Sequence, residues 1–392
     1  MRLLSALLIA FVLSPLSAAF AQQPAAALPP APAAVLPPVP AAPAVAARGY
    51  ILLDFNSGEV LAEKDADTAM DPASITKLMT AYAVFSELRK GQMALDDLVT
   101  VSERAWRTGG SRTFVEVGTR VSIEDLIRGM IIQSGNDASV ALAEHTAGSE
   151  AAFAELMNEY ARRLGMANTS FRNATGLPAE GHYSSARDIA LLASAIIREF
   201  PEFYQLYSER EFTFNNITQR NRNQMLWRDP TVDGMKTGMT DAAGYCLVSS
   251  AERDGMRLIS VLLGTSSAKA RADATQSLLN WGFRFFESHR LYAAGEAVAT
   301  ARVWRGTLEE VGLGLQEDLW ITVPRGRYGQ LEASMEVQAP LLAPLSIEDQ
   351  VGRIRVNLGD RLLADRNLHP LAAAPEGSII RRALHAVLLW FE

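Results

Sequence analysis

Ser74 and Lys77 lie three residues apart in the apolar stretch DPASITKLMTAYAVF, residues 71–85. Side chains at this spacing share one face of a helix, so the lysine amine would stand beside the serine hydroxyl. A serine becomes a good nucleophile when a base removes its proton, and a lysine can be that base only when burial or a second cation lowers its pKa. Because almost all residues of the stretch from Ile75 on are apolar or small, the helix should be buried. The pair therefore predicts nucleophilic catalysis by Ser74.

The Ser-x-x-Lys spacing is weak evidence alone, because a chain of 392 residues can contain it by chance. A second copy, Ser266 and Lys269, lies in a loop of small residues. There a helix cap and a surface lysine are the simpler interpretation. A catalytic role for the first copy therefore needs further groups.

Two further motifs supply such groups. Ser-Gly-Asn at 134–136 follows the helical segment IEDLIRGMIIQ and should lie on a loop at a helix end. Lys-Thr-Gly at 236–238 should lie at the start of a strand. Each motif alone is compatible with ordinary loop chemistry, but the ordered set on a helix, a loop and a strand is far more specific.

Together the three motifs resemble those of the penicillin-recognising serine enzymes. Longer segments are similar to the low-molecular-mass D-alanyl-D-alanine carboxypeptidases of that superfamily: DPASITKLMTAY, QSGNDASVALAEH, EGHYSSARDIALL, VDGMKTGMTDAAGYCLV and NWGFRFFE. The resemblance is strong over about residues 48–287 and looser beyond them. It implies a serine-type hydrolase that removes the terminal D-alanine from peptidoglycan pentapeptides and that β-lactams acylate.

The resemblance implies a role for each catalytic group. Ser74 attacks the carbonyl between two D-alanines and becomes acylated, with Lys77 as the general base. Ser134 passes a proton toward the leaving amine. Asn136 holds the substrate amide and Lys77.

The resemblance also implies how the substrate is bound. Lys236 supplies a second cation that helps to keep Lys77 neutral, and with Thr237 it engages the terminal carboxylate. Arg222, or less directly Arg271, matches an arginine that assists with that carboxylate.

The strand that carries Gly238 can accept a peptide substrate as an added strand. The resemblance implies that the backbone N–H groups of Ser74 and Met239 stabilise the oxyanion. Close relatives often have a histidine where Met239 stands. Catalysis should survive this difference if the position contributes only its N–H, while any pH tuning by a histidine would be lost.

Three other functions share parts of this pattern. A serine β-lactamase needs a glutamate that activates the deacylating water, and the segment FRNATGLPAEGHYSS offers only Glu180, without that family's pattern. A non-catalytic envelope scaffold would predict a broken motif, and none is broken. The motifs do not separate hydrolysis from transpeptidation, but hydrolysis is favoured because the sequence predicts no transmembrane helix and no large partner domain.

No cofactor or metal is expected. The five histidines are scattered, without a His-Glu-x-x-His motif, and the single cysteine, Cys246, excludes a thiolate cluster. The net charge of −7 argues against a nucleic-acid partner. The expected partners are stem peptides ending in D-Ala-D-Ala, β-lactam antibiotics and a membrane surface.

The order of the predicted strands and helices that carry these groups indicates an α+β fold. Two strand-like runs flank a hairpin turn at 56–58, residues 71–200 are mostly helical, and three strands then precede a helix at about 269–287. This order fits a β-lactamase/transpeptidase-like domain over 48–288, in which a helical block packs on an antiparallel sheet. Short alternating runs, punctuated by glycine and proline, predict a small all-β domain over 289–376.

Both ends of the chain predict an envelope location. Residues 1–21 match a secretory signal with an Ala-Phe-Ala cleavage site, and 22–47 form an Ala/Pro-rich linker. Residues 377–392 form an amphipathic helix of the kind that lies in a membrane interface, although it could instead pack on the β-domain. We expect an exported, periplasmic protein that is attached peripherally to the outer face of the cytoplasmic membrane.

Overall fold

The computed structural model describes residues 38–390. Its helices are α1 (Lys77–Arg89), α2 (Glu103–Arg107), α3 (Ile123–Ile132), α4 (Asn136–Ala147), α5 (Glu150–Arg163), α6 (Ala186–Glu199), α7 (Pro201–Tyr204), α8 (Met225–Arg228), α9 (Ala268–Phe285) and α10 (Ile379–Leu388). Its strands are β1 (Gly49–Asp54), β2 (Val60–Lys64), β3 (Leu98–Thr100), β4 (Arg120–Ser122), β5 (Glu211–Phe214), β6 (Ile217–Arg220), β7 (Val232–Thr240), β8 (Gly244–Arg253), β9 (Met256–Thr265), β10 (Phe286–Tyr292), β11 (Ala297–Trp304), β12 (Glu310–Gly314), β13 (Leu319–Pro324), β14 (Leu331–Val337), β15 (Leu341–Leu342), β16 (Gly352–Leu358) and β17 (Arg361–Pro370). The predictions that fall outside this range are the signal peptide (1–21), the first part of the linker (22–37) and the last two residues of the terminal helix (391–392).

The end of the Ala/Pro-rich linker, residues 38–47, forms no helix or strand. Part of it nevertheless lies against the first domain. The Trp281 indole donates a hydrogen bond to the Pro40 carbonyl (3.1 Å), and Val45 packs against the apolar cluster around α9. This end of the linker therefore packs in part on the first domain.

One five-stranded antiparallel sheet organises the first domain, with the strand order β2-β1-β9-β8-β7. Successive side chains of a strand point to opposite faces, and both faces of this sheet are covered. On one face Ile51 and Ile259 pack against a helical block that includes α1, α3, α4 and α6. On the other face Leu52 and Leu258 pack against α9. The predicted α+β architecture is confirmed.

A small all-β domain follows, as predicted. α9 passes directly into β10, which pairs with β13, so the predicted boundary between residues 288 and 289 falls inside a strand. The other strands form a six-stranded sheet in the order β14-β16-β17-β12-β11-β15. Buried residues of β13, β16 and β17 form the main hydrophobic core of this domain.

The terminal helix α10 lies against the β-domain, which is one of the two predicted alternatives. His385 is buried against the β-domain, where its Nδ1 accepts a hydrogen bond from the Arg305 N–H (2.8 Å). The apolar residues face outward, with Ile380 82% and Trp390 90% exposed. The helix therefore packs through its polar side and leaves its apolar side uncovered. Within residues 38–390, no helix is long and apolar enough to cross a membrane.

Candidate active site

Ser74 and Lys77 meet as their spacing predicts. Ser74 lies in a 3₁₀ turn, Ala73–Thr76, that leads into α1, and Lys77 is the first residue of α1. Ile75 and most of α1 pack into the core, which buries the turn. Lys77 Nζ lies 3.0 Å from Ser74 Oγ, and Lys77 is only 1% exposed.

The other neighbours of Lys77 determine where its lone pair points. Lys77 Nζ lies 2.7 Å from Asn136 Oδ1 and 2.6 Å from the carbonyl oxygen of Thr175. Both oxygens only accept hydrogen bonds, so they take the two N–H groups of a neutral amine. The lone pair is then left for Ser74 Oγ, which is the arrangement that a general base requires.

The electrostatic environment favours the neutral amine. The pKa of Lys77 is lowered to about 7, first by burial and then by the Arg222 guanidinium, while the Asp137 carboxylate acts in the opposite direction. Burial also holds the pKa of Lys236 well below its usual range, with the Lys77 charge as the second cause. Both Arg222 and Lys236 therefore bring positive charge close to the Lys77 amine, as the resemblance implied for Lys236.

The Lys-Thr-Gly motif lies in the middle of β7, not at the start of a strand as predicted. β7 begins at Val232 and forms one edge of the sheet, and among the described strands only β8 pairs with it. Lys236 is 2% exposed, and its Nζ donates a hydrogen bond to the Thr237 carbonyl (3.0 Å). A Cβ atom at Gly238 would lie 3.0 Å from the Pro72 carbonyl oxygen, so a glycine allows β7 to lie against the turn that carries Ser74.

Ser134 and Asn136 lie where α3 ends and α4 begins, as predicted. Ser134 has a φ of +67°, and its buried Oγ forms no hydrogen bond with any described residue. Asn136 donates a hydrogen bond from Nδ2 to the Gly109 carbonyl (2.7 Å) while its Oδ1 faces Lys77. Asn136 therefore bridges Lys77 and the opposite wall of the site.

These segments enclose one cleft with a volume of about 420 Å³. Its lining includes most of the predicted site residues: Ser74, Ser134, Asn136, Arg222, Thr237, Gly238, Met239 and Arg271. Lys77 and Lys236 are not among the lining residues but lie buried next to them. The three motifs therefore converge on one site.

The two arginines of the cleft differ in their contacts. Arg271 is buried and donates hydrogen bonds to the carbonyls of Gly238 (3.1 Å) and Cys246 (3.2 Å). Arg222 forms no hydrogen bond or ion pair with any residue between 38 and 390. Arg222 is therefore the better placed of the two to bind a substrate carboxylate.

A loop that the sequence did not single out provides the Thr175 carbonyl. Asn173 Oδ1 accepts hydrogen bonds from the N–H groups of Thr175 (3.1 Å) and Gly176 (2.7 Å), which fixes the turn. Gly176 has a φ of +80°, and a Cβ there would lie 1.8 Å from the Ala73 carbonyl oxygen. The Asn-x-x-Gly pattern does indicate a turn, but it does not reveal that a carbonyl within it faces Lys77.

Asp137 is a second group that the sequence did not single out. Its carboxylate is fully buried and accepts hydrogen bonds from the N–H groups of Thr113 (2.8 Å) and Phe114 (2.9 Å). These contacts hold the loop that contributes Gly110 and Ser111 to the cleft. Only its position directly after the Ser-Gly-Asn motif could have drawn attention to it.

Two alternatives raised by the sequence, a serine β-lactamase and a catalytic role for the second Ser-x-x-Lys copy, find no support in this geometry. No aspartate or glutamate lines the cleft, and Glu180 is exposed outside it, so the water-activating glutamate of a β-lactamase is missing from the described site. In the second Ser-x-x-Lys copy, Lys269 is exposed and pairs with Asp273, and Ser267 rather than Ser266 caps α9. Residues 38–390 contain no cluster of side chains that could hold a metal ion.

Comparison with known proteins identifies the family. The model of the family described as D-alanyl-D-alanine carboxypeptidase matches residues 37–267, and that of the penicillin-binding protein 5 C-terminal domain matches residues 286–376. The chain belongs to the D-alanyl-D-alanine carboxypeptidase family. The predicted enzyme class, a serine-type D-Ala-D-Ala carboxypeptidase, is thereby confirmed. Formation of a serine acyl-enzyme and acylation by β-lactams are typical of this family.

Individual relatives cover nearly the whole chain. The D-alanyl-D-alanine carboxypeptidases DacA and DacC of Escherichia coli K12 are 44% and 46% identical, each over 89% of this chain and over 89% and 90% of their own lengths. The crystal structure of penicillin binding protein 5 from Haemophilus influenzae has a TM-score of 0.82 and 42% identity, over 86% of this chain and 99% of that one. The similarity therefore includes both domains.

Proposed function

We propose that this enzyme cleaves the terminal D-Ala-D-Ala bond of peptidoglycan stem peptides through an ester on Ser74. Ser74 Oγ attacks the carbonyl carbon of the penultimate D-alanine, and Lys77 takes the hydroxyl proton. The C–N bond then breaks, and D-alanine leaves with a proton that passes through Ser134. Water attacks the remaining ester, which releases the shortened peptide and restores the Ser74 hydroxyl.

The proposal depends above all on the position of the Lys77 amine. Lys77 Nζ lies 3.0 Å from Ser74 Oγ, and its two other neighbours are oxygens that only accept hydrogen bonds. A lysine with a pKa of about 7 is largely neutral slightly above that pH, so the lone pair is available to the serine hydroxyl. Ser134 Oγ has no hydrogen-bond partner among the described residues, so it is free to relay a proton.

The substrate backbone would lie along the free edge of β7 as an added strand. Thr237 and Arg222 would bind the terminal carboxylate, with Lys236 beneath them. The backbone N–H groups of Ser74 and Met239 would stabilise the oxyanion. Met239 lines the cleft and is 51% exposed, so its side chain is not held in the core.

The test is release of free D-alanine from a soluble peptide that ends in D-Ala-D-Ala. Wild type should release D-alanine, whereas Ser74→Ala and Lys77→Ala should each lose nearly all activity. Ser266→Ala and Lys269→Ala are matched controls, because they remove the same groups from the second, exposed copy of the motif. Full activity in Ser74→Ala would refute the proposal, and a β-lactam adduct should map to the tryptic peptide that contains Ser74.

The enzyme would work in the periplasm, exported by residues 1–21 and attached to the outer face of the cytoplasmic membrane through α10. The uncovered apolar side of α10 supports this attachment, because such a surface is stabilised when it enters a lipid interface.

A further inference from the structure

A groove between the two domains has no part in the reaction described above. Its volume is about 850 Å³, roughly twice that of the active-site cleft, and the two share no lining residue. The first domain contributes the turn after β1, residues 55–58, and Arg198 at the end of α6. The β-domain contributes residues 315–320 and part of β17.

Contacts across the domain junction hold the groove in shape. Ser57 Oγ lies 2.6 Å from Thr322 Oγ1, so a hydrogen bond joins the β1–β2 turn to β13. Arg361 at the start of β17 forms an ion pair with Glu59 of the first domain. The groove therefore has the preformed character that is typical of binding sites for small ligands.

The lining combines aromatic rings with planar polar groups. Phe55 and Trp320, one from each domain, are both half-buried. The Arg198 guanidinium lies over the Phe55 ring, 5.3 Å from its centroid, so Trp320 is the ring on which a ligand would pack. The Asn367 side-chain amide is also half-buried, and it forms no hydrogen bond with any residue in the described range. Such a surface suits a pyranose ring, whose apolar C–H face packs on an aromatic ring while its hydroxyl and amide substituents bind planar polar side chains.

The lining of the groove carries as many positive as negative side chains. Arg198 and Arg366 contribute two positive charges, and Glu317 and Asp318 contribute two negative charges. A polyanion or a phosphate would be favoured by an excess of positive charge, which is not present here. The lining therefore favours a neutral, hydroxyl-rich ligand.

We infer that this groove binds the glycan strand that carries the stem peptide, as a run of β-1,4-linked N-acetylated amino sugars. The inference rests on the proposed function, because that function makes the glycan a part of the same polymer as the substrate. A second contact on one polymer raises the local concentration of stem peptides near Ser74. The groove would thus favour peptides on glycan strands over free peptides.

The test uses peptide-free glycan strands and calorimetry on the full mature chain. Wild type should bind the strands, and Trp320→Ala and Asn367→Ala should each weaken binding at least tenfold. Trp227→Ala is the matched control, because Trp227 is 46% exposed and lies outside the groove. The inference is refuted if wild type binds no glycan, or if both groove variants bind it as well as wild type does.

D-alanine release separates this inference from the proposed function. With a soluble pentapeptide, Trp320→Ala should match wild type, since the groove does not touch the cleft. With intact peptidoglycan as substrate, Trp320→Ala should release D-alanine more slowly than wild type and than Trp227→Ala. Absence of release from the soluble pentapeptide by wild type would refute the proposed function, whatever the glycan result.

Discussion

At the scale of single residues, the reactivity of Ser74 depends on the direction of one lone pair. Asn136 Oδ1 and the Thr175 carbonyl occupy the two N–H groups of a neutral Lys77, which leaves the third direction for Ser74. The sequence predicted Ser74, Lys77 and Asn136, because side-chain motifs are visible in it. It could not predict the Thr175 contact, because any residue type offers a backbone carbonyl.

Asn173→Ala should therefore lower kcat while KM changes little. The substitution removes the hydrogen bonds that fix the turn around Thr175, and leaving a donor in a buried turn unsatisfied costs about 1–3 kcal/mol, or roughly a 5- to 150-fold effect on rate. Thr175→Ser is the control, since it keeps the carbonyl and the hydroxyl that donates to Asn173 Oδ1, and it should stay within a few-fold of wild type. An effect on KM alone would contradict this role.

Arg222→Gln should move the acid limb of the kcat/KM profile to higher pH. The acid limb of this profile reports the pKa of the general base in the free enzyme. That base is Lys77, because Lys77 must lose its proton before it can accept one from Ser74. Because Arg222 lowers the pKa of Lys77, its removal raises that pKa, and the shift should be up to about one pH unit. Arg228→Gln, which lies outside the cleft and pairs with Asp273, should leave the limb near pH 7.

At the scale of elements, the site exists because β7 lies directly against the turn that carries Ser74. The sequence predicted the sheet, the helical block and the loop at 134–136 from hydrophobic period and turn residues. It placed the Lys-Thr-Gly motif at a strand start, whereas β7 already begins at Val232. Asp233 and Gly234 are poor strand formers, so the sequence pattern did not indicate a strand at these positions. They belong to β7 because this part of the chain pairs with β8.

Gly238→Ala should slow acylation by a β-lactam at least tenfold without unfolding the protein. The new methyl group would lie 3.0 Å from the Pro72 carbonyl oxygen and 3.2 Å from Ala73 Cβ, so β7 and the Ser74 turn must move apart. Gly329→Ala is the control, because nothing lies within 4 Å of a Cβ at that position. Equal acylation rates in both variants, measured by intact mass, would contradict the close-packing argument.

At the scale of the whole molecule, the sequence could not predict which side of α10 contacts the β-domain. Helical spacing of Ile380 and Leu384 predicted an amphipathic helix, but spacing does not say which side meets the β-domain. In the structure, the Arg305 N–H donates a hydrogen bond to Nδ1 of the buried His385. The polar side of α10 therefore contacts the β-domain, and the apolar side faces outward. The predicted boundary between residues 288 and 289 falls inside β10, since α9 runs into that strand without a loop.

Charges placed on the outer side of α10 should release the protein from membranes. Ile380→Asp with Leu384→Asp should abolish sedimentation with anionic phospholipid vesicles, because both side chains are more than half exposed and would have to enter the lipid interface. Leu362→Asp is the control, since Leu362 is 53% exposed on β17. Deletion of 377–392 should likewise abolish sedimentation and leave D-alanine release from a soluble peptide intact. A deleted chain that still sediments would contradict attachment through α10.

The most direct test of the central claim is the pKa of Lys77 itself. The chain has only five lysines, Lys64, Lys77, Lys90, Lys236 and Lys269, so an NMR titration of the ¹³Cε resonances in lysine-labelled protein can resolve each one. Lys77→Arg and Lys236→Arg assign the two buried signals. We predict a Lys77 midpoint near pH 7. A midpoint near 10, the ordinary value for lysine, would mean that Lys77 stays charged and cannot be the base that activates Ser74.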